Sequence, residues 1–96
     1  MIQNTPLTYV QSPRDKLDYA FDFSDWLLEN ESIASFTITT LPAGLTVSST
    51  NGIIFVSTFL SSGVVNVSYN ILCKITTDAI IPRVKEAEFY LTIRDN

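Results

Sequence analysis

The sequence predicts an all-β chain, a seven-stranded antiparallel β-sandwich, and three observations carry that prediction. Apolar residues alternate with polar ones over several short runs, most cleanly at Val65, Val67, Tyr69, Ile71, Cys73 and Ile75, which is the period of a strand with one buried face. Those runs are rich in β-branched and aromatic residues, which suit a pleated, half-buried surface. Short breaks containing Ser, Asn, Gly and Pro separate them, and only residues 24–29 leave room for a single helical turn.

A first strand spans residues 7–11 and is closed by Ser12-Pro13. The second, 16–23, puts Leu17, Tyr19, Phe21 and Phe23 on one face and ends in the acidic corner Ser24-Asp25-Trp26-Leu27. There Ser24 can cap one helical turn that folds Trp26, Leu27 and Leu28 over an end of the core. The third strand, 33–40, sets Ala34, Phe36 and Ile38 against Ser35, Thr37 and Thr39, and stops at the Leu41-Pro42-Ala43-Gly44 turn. Residues 45–48 form a short strand, and Ser49-Thr50-Asn51-Gly52 reads as a hairpin because Asn-Gly readily adopts positive φ. Residues 53–60 pair back on it, and Ser61-Ser62-Gly63 turns the chain again. The longest strand is 65–77; the last, 84–94, alternates Ala87, Phe89, Leu91 and Ile93 against Glu86, Glu88, Tyr90, Thr92 and Arg94. Strands of this number joined by short turns point to an immunoglobulin-like β-sandwich, with a small barrel as the structural alternative. Tyr69 lies four residues before Cys73, whereas antibody-type domains place the corner tyrosine two before the cysteine, so the antibody lineage is not supported.

Ninety-six residues make one domain, 1–96, able to bury roughly two-thirds of the unfolded surface without staples. The chain is 46% apolar and only 17% charged, with a net charge of -4. Its six basic residues, Arg14, Lys16, Lys74, Arg83, Lys85 and Arg94, form no stripe, which argues against nucleic acid and an anionic membrane surface as partners. Cys73 is the only cysteine, so no intrachain disulfide is possible. Met1-Ile2-Gln3-Asn4-Thr5-Pro6 lacks the basic and apolar regions of a signal peptide, and no apolar run approaches the ~20 residues of a membrane span. A soluble, unexported chain is expected.

Histidine is absent, which removes the usual general base, the Ser-His-Asp arrangement and the commonest metal ligand. The remaining chemistry-bearing group is the acidic set Asp15, Asp18, Asp22, Asp25, Glu29 and Glu31. Asp18 and Asp22 fall on the strand face opposite Tyr19, Phe21 and Phe23, so the set reads as solvated. Calcium ligation by Asp22, Asp25, Glu29 and Glu31 at one strand-to-strand corner is the sharper alternative, but no Asp-x-Asp-x-Asp-Gly loop supports a preformed cage. No catalytic residue, cofactor or metal is assigned. Trp26 reads as a core plug, with carbohydrate stacking as the alternative.

Two features suggest a working surface. From Ser32 to Cys73 the chain carries no charged residue, although sheet edges are usually guarded by charge. Either hydroxyl-rich outer faces suffice there, or a neighbouring subunit covers positions such as Thr37 and Thr39. Ile80-Ile81-Pro82 stands where a hairpin normally shows Asn, Asp or Gly. An apolar tip either folds back on its own domain or meets a partner. Ile80, Ile81, Pro82, Thr37 and Thr39 are therefore the candidate partner interface.

The segments Leu17-Asp18-Tyr19, Phe21-Asp22-Phe23-Ser24-Asp25-Trp26-Leu27, 33–39, Ala43-Gly44-Leu45-Thr46-Val47 and Tyr69-Asn70-Ile71-Leu72-Cys73-Lys74-Ile75-Thr76-Thr77 follow one another in a telling order. That order resembles small immunoglobulin-like structural proteins of tailed bacteriophages, of the fibre-to-tail adaptor type. The likeness covers most of the chain and rests on the order of parts, since no single segment is diagnostic. Such proteins usually carry a polar, often Gly-containing hairpin before an Arg, where this chain has Asp78-Ala79-Ile80-Ile81-Pro82-Arg83. The resemblance implies a non-enzymatic virion protein that docks on the tail or neck and connects or anchors tail fibres. It implies tail, portal or neck, and fibre subunits as partners, several copies in a symmetric assembly, and assembly in the host cytoplasm. A capsid decoration protein and a glycan-binding adsorption module are the competing readings.

Overall fold

The computed structural model describes residues 7–95. Among them are seven strands and no helix: β1 (Thr8–Gln11), β2 (Lys16–Asp22), β3 (Ile33–Leu41), β4 (Leu45–Asn51), β5 (Phe55–Ser62), β6 (Ser68–Thr77) and β7 (Val84–Ile93). They form a four-stranded sheet, β1-β7-β6-β3, and a three-stranded sheet, β2-β5-β4. One core cluster draws on both: Phe21, Val56 and Leu60 from the smaller sheet meet Tyr69, Ile71, Cys73, Ile75, Phe89, Leu91 and Ile93 from the larger.

The pairings β2·β5, β4·β5, β3·β6 and β6·β7 are antiparallel as expected. The pairing of β1 with β7 is parallel, with Thr8 opposite Tyr90 and Gln11 opposite Ile93, which corrects the all-antiparallel expectation at this edge. Hairpin connection enforces antiparallel pairing, and β1 has no hairpin with β7, because its chain crosses to the other sheet at β2. The crossing is tied at both ends of its turn. Asp15 N–H donates to Ser12 O at 3.0 Å, and Ser12 N–H donates to Asp15 Oδ2 at 2.9 Å. Buried Gln11 then bridges the sheets: its Nε2 donates to Leu60 O at 3.1 Å, and its Oε1 accepts from Tyr19 OH at 2.7 Å.

Alternation placed most inward residues correctly, and the departures have local causes. A register shift between Ile33 and Ser35 buries Ile33 and turns Ala34 outward, while Phe36 and Ile38 keep their inward face. Asn66 takes positive φ and Val67 N–H donates to Val64 O at 3.1 Å, so β6 starts only at Ser68 and Val65 is exposed. β4 runs on through Asn51, and the chain reverses over residues 52–54. Gly52 serves there by leaving room, since a Cβ would run into the Phe55 ring. Positive φ is found instead at Gly44 and Gly63, in the two turns expected from their sequence. Leu17, at the end of its strand, is exposed.

The acidic corner forms the single turn expected of it and does not extend into a helix. Trp26 and Leu27 N–H both donate to Phe23 O, at 3.0 and 2.9 Å. Its cap is Asp22, whose Oδ1 accepts from Ser24 N–H at 2.8 Å, not the Ser24 hydroxyl. Trp26 and Leu27 pack against the core as expected, whereas Leu28 points away and is exposed.

Strand direction distributes the connections between two ends. Asp22 lies opposite Phe55, Ile33 opposite Thr77, and Thr76 opposite Val84. Connections 23–32, 52–54 and 78–83 therefore share one end, and 12–15, 42–44 and 63–67 share the other.

Candidate docking surface

The β6–β7 connection is rooted before it is exposed. Thr77 N–H donates to Arg83 O and Arg83 N–H donates to Thr77 Oγ1, each at 2.9 Å, closing the loop at its base. Asp78 and Ser32 bond reciprocally: Asp78 N–H donates to Ser32 O at 3.0 Å, and Ser32 N–H to Asp78 Oδ1 at 2.8 Å. Beneath the loop, Arg83 donates from Nε to Glu31 Oε2 at 3.0 Å and from Nη2 to Glu31 Oε1 and to Trp26 O. The same guanidinium lies 4.1 Å from the centroid of the Trp26 ring.

Glu31 is the pivot of this anchor and corrects the reading of a wholly solvated acidic set. Its side chain is only 3% exposed. Hydrogen bonds from Arg83, then from Leu28 N–H at 2.9 Å, hold its carboxyl down at about 2, and the pairing raises Arg83 in turn. A carboxylate so enclosed needs its partner, since an uncompensated buried charge is strongly unfavourable. The loop base is thus pre-organised by a pair 52 residues apart in sequence.

On that base Ile80 and Ile81 are 103% and 82% exposed, and Pro82 is exposed with them. Their side chains do not fold back onto the sheets. Thr37 and Thr39 lie on the outer side of β3, exposed, opposite Lys74 and Leu72. At about 3.3 Å per residue, they sit roughly 13 and 20 Å down the strand from Ile33. The structure does not bring them together with the isoleucine tip. They belong instead to an edge without charge, since β3 and β4 are the outer strands of their sheets on the same side and carry no charged residue.

Three exposed aliphatic residues at the isoleucine end escaped sequence reasoning. Ile53 and Ile54 form the β4–β5 reversal, although they read as the start of a strand, and Leu28 leaves the corner outward. The available signal was the repeated Ile-Ile pair directly after a turn former.

The other acidic residues form no ligand set. Asp15 serves the turn at the far end, and Asp22 is held below its ordinary value by the Ser24 N–H. Among the described residues no three His, Cys, Asp or Glu side chains are grouped as a metal site. Trp26 carries Arg83 over one ring face, which leaves that face unavailable for stacking a sugar. Cys73 is fully buried, and burial pushes its thiol up to about 12. A separate cleft of about 570 Å³ opens between β1, β2 and β7, lined by Tyr9, Tyr19 and Phe89 with Asp18, Asp22 and Glu88.

No geometry among these residues resembles a reaction centre; what the molecule presents is an anchored apolar tip and uncharged edges. Residues 11–92 match the model of the family described as podophage GP4 fiber-tail adaptor protein gp77. The chain belongs to that family. Its span takes in β2 through β6, both Ile-Ile turns and most of β7. No curated protein matches the chain. Membership in a fibre-tail adaptor family makes the chain a structural component of the virion that meets other virion proteins, and this is not a class of enzyme.

Proposed function

We propose that this chain is a docking adaptor that anchors tail fibres to the tail or neck, and that Ile80-Ile81-Pro82 makes its principal contact. The observation that carries the reading is the pair of fully projecting isoleucines on a loop whose base is locked by Glu31 and Arg83. Aliphatic side chains left in water gain free energy only when something covers them, and a pre-ordered loop loses little entropy on binding. The uncharged β3 edge with Thr37 and Thr39 is the second contact, toward a neighbouring subunit. Multiple copies in a symmetric assembly let each contact be small, because avidity multiplies them. The chain works by binding alone, without nucleic acid or membrane, and assembles with tail, portal or neck, and fibre subunits in the host cytoplasm.

The same reading takes residues 1–96 as a single immunoglobulin-like sandwich. In favour of it, β2-β5-β4 faces β3-β6-β7 in the order that such domains use, with β1 added at the β7 edge.

Charging the tip tests the reading. Ile80→Asp with Ile81→Asp should abolish incorporation into the particle while the melting temperature stays within a few degrees; normal incorporation would remove the loop from the interface. Copy number separates the tail from the shell, about a dozen per particle against hundreds. One observation favours glycan binding, the cleft of tyrosines and carboxylates beside β1. Adsorption of the isolated chain to host polysaccharide, lost on Tyr9→Ala, would move the function there.

A further inference from the structure

The isoleucine loop is one part of a larger surface. Phe23 N–H donates to Ile54 O and Ile33 N–H to Ile53 O, both at 2.9 Å, so the β4–β5 reversal is bonded to both ends of the β2–β3 connection. That connection is in turn bonded to the β6–β7 loop through Ser32 and Asp78 and through Glu31 and Arg83. Three connections are thus hydrogen-bonded to one another. They present Leu28, 60% exposed, and Ile53, 69% exposed, together with Ile54, Ile80 and Ile81.

Charge at this end has one dominant sign. Asp22, Asp25, Glu29 and Asp78 are exposed at the same end as the aliphatic residues. The basic residues here are Arg83 and Lys85. Arg83 is committed to Glu31 and to the Trp26 ring, and Lys85 Nζ lies 5.8 Å from the same ring. An aliphatic centre within an excess of carboxylates selects its partner by charge as well as by apolarity, since a like-charged rim is repelled. Anionic lipid headgroups and the same end of a second copy are disfavoured on that ground.

We propose that the whole end, and not the Ile80 loop alone, seats in an apolar socket on a virion protein whose rim carries lysine and arginine side chains. This rests on the docking reading above in taking this end as the contact. It adds which residues share that contact and what chemistry meets them.

The test measures binding of the purified full chain to tail particles lacking it, at low and high salt. Four proteins are compared: wild type, Leu28→Ser with Ile53→Ser, Asp25→Lys with Glu29→Lys, and Ile80→Asp with Ile81→Asp. Melting curves check folding, and Asp25→Asn with Glu29→Gln replaces the lysine pair if that pair unfolds. The expected result is at least tenfold weaker binding for the serine pair at either salt. The lysine pair should be at least tenfold weaker at low salt, with the gap closing at high salt as ions screen the rim. If only the isoleucine-to-aspartate pair loses binding, the docking loop stands and the wider basic-rimmed socket is overturned. Unchanged binding in all variants overturns the docking reading as well. Self-association of the chain in sedimentation, abolished by the lysine pair, overturns the proposal in favour of a second copy.

Discussion

Truncating the tip without charging it gives a quantitative handle on docking. Ile80→Ala with Ile81→Ala removes three carbons from each side chain, and at about 0.8 kcal/mol per buried carbon this forfeits about 2.4 kcal/mol per residue if the partner buries both fully. The pair then costs about 5 kcal/mol of binding, which at 1.4 kcal/mol per decade weakens the contact by about three and a half orders of magnitude. Folding should hardly notice, because both side chains are already in water in the free protein, and such surface changes stay within about 0.5 kcal/mol. The two quantities are read separately, binding to tail particles lacking the chain and thermal unfolding of the isolated protein. A partner that covers only half of each side chain brings the loss down to about 2.4 kcal/mol, or about 50-fold. Binding within threefold of wild type would show that no partner covers the tip. A fall of more than a few degrees in melting temperature would show that the isoleucines serve the fold.

Two further predictions concern the devices that hold the surface in place. Gln11→Leu removes the buried bridge between the sheets, taking one bond from Leu60 O and the acceptor from the Tyr19 hydroxyl, so it should destabilise by about 1–3 kcal/mol in denaturant titration. Tyr19→Phe should cost about 1 kcal/mol, and the double variant less than the sum; strict additivity would mean the two side chains do not act as a unit. The Glu31 carboxyl is held at about 2, below its ordinary 4.5, so its contribution is complete above about pH 4.5 and drains away as pH falls toward about 2. The melting-temperature advantage of wild type over Glu31→Gln should therefore shrink through that window, and a constant difference across it would contradict the pairing.

Much of the fold was legible because strand periodicity is local. Tyr69, Ile71, Cys73 and Ile75 alternate in sequence and are all buried, and Phe89, Leu91 and Ile93 follow suit. Gly44 and Gly63 marked real turns for the same reason, since each takes a positive φ that other residues resist. The bulge at Ile33 was not legible, because it depends on how Thr77 and Thr76 are registered opposite. Glu31 was misread for a related reason. Among six nearby carboxylates it looks like the rest, and only the fold brings Arg83 to it across 52 positions.

The site divides in the same way. Ile80-Ile81-Pro82 stood out because an apolar triplet in a turn contradicts turn chemistry, which is a conflict visible within a few residues. Ile53, Ile54 and Leu28 did not, since each fits a strand or a core plug until the chain is seen to reverse or turn outward there. By itself, then, the sequence determined an all-β chain without histidine, with an uncharged middle, and with one apolar turn. Tertiary structure alone decided that β1 enters in parallel, that one carboxylate is buried on an arginine, and that three connections fuse into a single acidic-collared apolar end. The physical reason is distance along the chain: side-chain alternation repeats every two residues, whereas pairing direction, ion-pair choice and loop convergence are settled between segments that only folding brings together.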